Sequence, residues 1–125
     1  MRFVENRFRE AGPFPAPSSA ARDFHRTLPG YAPTPLVDCQ ALADSLGLRS
    51  LHVKDESHRF GLNAFKALGA SFAMSGTVQP GSTVSAATAG NHGRAVAWSA
   101  RWLGCSAKIF IPAATQRARI EAIRK

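Results

Sequence analysis

The sequence predicts an α/β fold, an open three-layer sandwich built on a mostly parallel sheet. Three observations point to it. Short strand-like runs alternate with helical stretches, glycine or proline punctuates most junctions, and the loops richest in small polar residues follow strands. Strands separated by helices of about a dozen residues pair in parallel through right-handed crossovers. Ligands bind such sheets outside the carboxyl ends of the strands, so the loops after Val53 and Ala86 are the ones to watch.

The elements follow in chain order. Gly12-Pro13-Phe14-Pro15-Ala16-Pro17-Ser18-Ser19 favours an extended, semi-rigid strap. A short helix is expected from Ser19 to Arg26, followed by a turn-rich stretch from Leu28 to Leu36. Asp38 is positioned to cap a helix over Cys39 to Leu46, and Gly47 to end it. Leu51-His52-Val53 reads as a strand, and Asn63 as the cap of a helix running to Met74. Thr83 to Ala86 is a second strand, Asn91 to Leu103 a helix with Gly104 as its stop, and Lys108 to Ile111 a third strand. A last helix starts near Thr115 and reaches Lys125 with Ile120 and Ile123 in phase and no stop signal, so the chain reads as cut off inside a domain. The expected organisation is an N-terminal extension over residues 1–30 and a partial α/β domain over 31–125.

Composition narrows the class. A chain of 125 residues, 45% hydrophobic and 19% charged, suits one modest core. No apolar run approaches the roughly 20 residues that span a bilayer. The basic start, Met1-Arg2-Phe3-Val4-Glu5-Asn6-Arg7, lacks the apolar stretch of a secretory signal, so a cytoplasmic protein is expected. Cys39 and Cys105 stand in no metal-ligand spacing, and His25, His52, His58 and His92 form no paired pattern, so no metal site is expected. The net charge of +8 invites a nucleic-acid reading. Against it, the basic residues between Arg94 and Lys125 are spread over two helices and a strand without aromatic interleaving. A solvated face is the better reading, with neither nucleic acid nor membrane as a partner.

Two segments carry chemistry. In Val53 to Gly69, Lys66 falls in the first turn of its helix, where the positive end of the helix dipole disfavours an ammonium. The same field, with burial, favours a neutral amine, the form that makes Schiff bases with carbonyl compounds. An exposed helix lysine fits the local residues equally well. In Ser85-Ala86-Ala87-Thr88-Ala89-Gly90-Asn91-His92-Gly93, small residues let a ligand approach, and the following helix start offers free N–H groups to an anion. Close packing alone also accounts for that turn.

In order, Pro33-Thr34-Pro35-Leu36, Lys54-Asp55-Glu56, Ala64-Phe65-Lys66 and Thr88-Ala89-Gly90-Asn91-His92-Gly93 resemble the pyridoxal-phosphate (PLP) enzymes that include threonine dehydratase, threonine synthase and cysteine synthase. Gly30 to Leu36 and the long segment Lys54 to Lys66 look most like the diaminopropionate ammonia-lyase branch, and the resemblance spans about Tyr31 to Lys125. It implies the N-terminal part of a fold type II PLP enzyme, homodimeric in the full-length family, that eliminates ammonia from the amino acid 2,3-diaminopropionate to give pyruvate. It implies further that Lys66 binds the cofactor covalently and later moves the α-proton, that Asn91 bonds the cofactor's 3-hydroxyl oxygen, and that Thr88, Gly90 and His92 cradle the substrate carboxylate. Ala89 stands where that branch has an aspartate serving as base for the D-isomer, so the resemblance does not extend to that base. The resemblance also implies that the family's glycine-rich phosphate loop and the residue facing the pyridine nitrogen belong downstream of Lys125. A serine/threonine dehydratase-like enzyme and an inactive truncated remnant are the alternatives.

Overall fold

The computed structural model describes residues 16–125. The strap beginning at Gly12, and the extension expected over residues 1–30, lie outside the described residues as far as residue 15. Helix α1, Ala20–Arg26, comes first and packs on a later helix, α3 (Lys66–Ser75). Nε2 of His25 meets the carbonyl oxygen of Leu68 at 2.8 Å across that junction.

Strand β1, Leu36–Asp38, pairs antiparallel with β2, His52–Lys54, in the register Val37 opposite Val53. Between them lies α2, Gln40–Ser45. Asp38, expected as the α2 cap, is instead the last residue of β1, its backbone extended by the ladder. Cys39 takes the cap position without a side-chain bond. Gly47 ends α2 as expected, at φ 66°, a left-handed conformation that costs glycine little. The chain then reverses, with Leu48 N–H donating to Ala43 O at 2.9 Å. β1 was hidden in the sequence because Pro33 and Pro35 make that stretch read as turns. With β1 present, β2 pairs antiparallel rather than joining one parallel sheet.

The parallel part is β3, Thr83–Ala87, beside β4, Ser106–Phe110, with Ser85 opposite Lys108. Helix α4, Asn91–Trp102, makes the crossover and packs on both strands, on α3 and on the last helix, α5 (Arg117–Arg124). The α/β class and the parallel βαβ unit therefore hold, while the strands form two separate pairs.

The core is built from small residues. Ala67, Ser71, Ala95, Ser99 and Ala100 are all nearly or fully buried, which lets α3 and α4 approach closely. Gly93 belongs to the same design. A Cβ there would sit 3.1 Å from Ile109 Cγ2, 3.2 Å from Thr88 Cγ2 and 3.3 Å from Ile123 Cδ1. Among the described residues, no helix is long and apolar enough to cross a membrane.

Candidate active site

Lys66 is the first residue of α3, and Asn91 the first of α4. Neither helix start has a side-chain cap, so the positive end of each helix dipole is left undiluted. The two helices pack against each other over their small residues. Asn63, expected to cap α3, lies three residues before it in a left-handed conformation at φ 53°; Phe65 is the cap. Lys66 is exposed, so residues 16–125 supply the helix start expected around it but not the burial. The ion pairs among the described residues all use other cations, which leaves the Lys66 amine uncommitted.

Thr88, Ala89, Gly90, Asn91 and His92 run continuously from the end of β3 into α4. Thr88 N–H donates to Phe110 O at 2.9 Å, fixing the turn to β4. Thr88 and Ala89 line a cleft of about 300 Å³ with Phe110 and Pro112. Gly90 and Asn91 line another of about 400 Å³ with Arg94 and Arg119. Neither cleft has Lys66 in its wall. The second segment is therefore continuous in the chain but divided between two clefts, with His92 in the wall of neither, and Lys66 stands at a separate helix start. Among the described residues no group of three His, Cys, Asp or Glu side chains could hold a metal ion.

What the sequence reading missed is how the Lys66 segment is held. Arg59 is only 5% exposed and grips Glu56 with two bonds, Nε to Oε2 at 2.8 Å and a terminal nitrogen to Oε1 at 3.0 Å. It also donates to Ala32 O at 2.7 Å and to Thr34 Oγ1 at 3.2 Å. Its guanidinium lies 5.2 Å from the ring centre of Tyr31. The Thr34 hydroxyl donates to Glu56, and the Lys54 ammonium donates to Thr34. The Arg59 hydrogen bond is the main reason the Glu56 carboxyl falls from 4.5 to about 2; burial opposes the shift, and Thr34 and Lys54 add to it. The same bond raises Arg59. Asp55 is also lowered, by hydrogen bonds from Ser57, whose N–H meets Oδ1 at 2.9 Å. The only sequence signal for this clamp is an acid three residues before a base, a spacing that usually marks a solvated pair.

Beyond Arg59 the chain bends sharply. Phe60 adopts φ 51° and ψ 22°, costly for a bulky residue, and its ring stacks on Trp98 of α4 at 4.6 Å between centroids. The strap of residues 60–65 then reaches α3 through Asn63 and the buried Ala64.

A family model described as pyridoxal-phosphate dependent enzyme matches residues 27–125, the stretch holding both helix starts and the clamp. The chain belongs to that family. A diaminopropionate ammonia-lyase of Escherichia coli K12 is 38% identical over 96% of this chain and 36% of its own length. The solved structure of an E. coli diaminopropionate ammonia-lyase with an aminoacrylate-PLP azomethine reaction intermediate is 41% identical, with a TM-score of 0.77, over 85% of this chain and 31% of that one. A processed threonine deaminase from Solanum lycopersicum is 30% identical at a TM-score of 0.67, over 90% of this chain and 33% of that one. The chain thus spans about a third of the length of the relatives it matches.

The residues present fit the family's PLP. An amine without an ion-pair partner among the described residues opens α3, an amide opens α4, the two helices pack on each other, and the start of α4 at Gly90 is open.

Proposed function

We propose that this chain supplies the lysine side of a PLP-dependent lyase that eliminates ammonia from 2,3-diaminopropionate, giving pyruvate and ammonia. The observation that carries the reading is the placement of Lys66 and Asn91 as the first residues of two packed helices. The greater identity and TM-score towards the ammonia-lyase than towards the threonine deaminase favour that branch over a dehydratase.

When bound, the cofactor supplies an electron sink for the charge left at the substrate's α-carbon. Lys66 would hold it through the side-chain amine and would take the α-proton. Asn91 would donate to the 3-hydroxyl oxygen and orient the ring. Thr88, Gly90 and His92 hold the substrate carboxylate, which the uncapped N–H groups of α4 favour. Ala89 has no group to take a proton, so the base that serves the D-isomer in that branch has no counterpart at this position. In this reading the whole enzyme is a cytoplasmic homodimer acting on a small amino acid, with no nucleic-acid or membrane partner.

The test is a chimera in which residues 27–125 replace the matching segment of the E. coli ammonia-lyase. Pyruvate from diaminopropionate should form faster than pyruvate or oxobutyrate from serine or threonine, and Lys66→Ala should abolish it. Faster turnover of serine or threonine would assign the segment to a dehydratase.

A further inference from the structure

We infer that Arg59 is a positioning residue for Lys66: its buried fork fixes the strap over residues 60–65 that determines where α3 begins. The inference rests on the reading of Lys66 as the cofactor lysine.

A buried guanidinium is expensive unless its donors are met, and here four of its five N–H groups are bonded, to partners from two stretches of the chain. Glu56 lies just before it, Thr34 and Ala32 lie in the stretch leading to β1, and Tyr31 covers one face. A planar fork fixes direction as well as distance, which a lysine in the same place would not do. The strap leaving this fork holds two left-handed residues other than glycine, Phe60 and Asn63. Such conformations persist only where the surroundings over-determine them. One end is held by Arg59. Phe60 is held by Trp98, and the other end by Ala64 and Ala67, both buried. Lys66 stands at that far end, exposed and sharing none of the clamp's hydrogen bonds or ion pairs. The clamp can therefore act on it only through the backbone of the strap.

The experiment uses the chimera carrying residues 27–125 in the E. coli ammonia-lyase, with PLP as the probe, borohydride to fix any adduct, and peptide mass mapping. Labelling of Lys66 is expressed relative to Lys108 on β4, an internal reference. In the wild type Lys66 is labelled in preference to Lys108. Arg59→Lys, which keeps the charge without the fork, and Glu56→Gln should each lower that ratio about tenfold or more, as small misplacements of a reacting group do. Thr34→Val removes the hydroxyl's bonds to Glu56, Arg59 and Lys54 but leaves the two Arg59–Glu56 bonds, and should lower it less, providing a folded variant should the others not fold. Amide exchange gives a second readout. Leu68 N–H, bonded to Phe65 O at 3.0 Å, should exchange faster in Arg59→Lys, while Thr88 N–H on the parallel pair stays protected. An unchanged labelling ratio in variants that keep Thr88 protected would overturn the positioning role alone. No preference for Lys66 in the wild type would defeat the cofactor-lysine reading and the positioning role with it.

Discussion

The ring of Phe60 lies on that of Trp98, with centroids 4.6 Å apart and planes 20° from parallel, and Phe60 reaches that position only through a left-handed backbone. The pair joins the strap ahead of Lys66 to the helix that begins with Asn91. A phenylalanine at φ 51° costs on the order of 1–3 kcal/mol, which the stack and the neighbouring clamp offset.

Trp98→Ala removes the surface on which Phe60 rests. Trp98 is half-buried, so the loss should fall below the range for a fully buried tryptophan, about 2 kcal/mol. The urea midpoint measures it, and a midpoint equal to that of the wild type would show that the stack holds nothing.

Acid should weaken the fold through Glu56. Its carboxyl titrates at about 2 in the folded chain and at 4.5 without its partners, so the unfolded state binds the proton more tightly. The stabilisation is complete above pH 4.5 and is lost as pH falls towards 2. It is on the order of 2–3 kcal/mol. Glu56→Gln should remove most of that pH dependence. Urea midpoints taken across the window, for both proteins, provide the comparison.

How much of this was legible in the sequence depended on how local each signal was. The βαβ unit from Thr83 to Phe110 was readable because strand, helix start and glycine stop follow one another in the chain. Lys66 at a helix start was readable for the same reason. β1 was not, because two prolines masked a three-residue strand whose partner lies beyond α2. The Arg59 clamp was not, because its worth comes from burial and from partners near Ala32 that only the folded chain brings close. Asn63 as a cap failed on backbone conformation: the strap needed a left-handed residue there, which asparagine tolerates well.

Gly93→Ala tests the close packing beneath the Thr88 turn. Alanine gains about 1 kcal/mol in helix propensity, but its methyl would crowd three side chains, and overpacking costs about 1–3 kcal/mol. A net loss is expected. Ile123→Val removes the Cδ1 atom 3.3 Å from the new methyl and should recover part of it, so the double variant should be more stable than additivity of the single changes allows.

Ala89→Asp places a carboxylate in the cleft that Ala89 shares with Thr88. In the chimera this change should add turnover of the D-isomer of diaminopropionate, measured as pyruvate. A variant that gains none would show that the geometry around Ala89, and not only its missing carboxylate, sets the stereochemistry.

The central claim is that Lys66 is the lysine that holds the cofactor, and its most direct measurement is the site of attachment. The chimera is loaded with PLP, reduced with borohydride, digested and mapped. The account predicts one pyridoxyl group on Lys66, and none bound in Lys66→Ala after the same treatment. Label shared among Lys54, Lys108 and Lys125, and undiminished in Lys66→Ala, would contradict it.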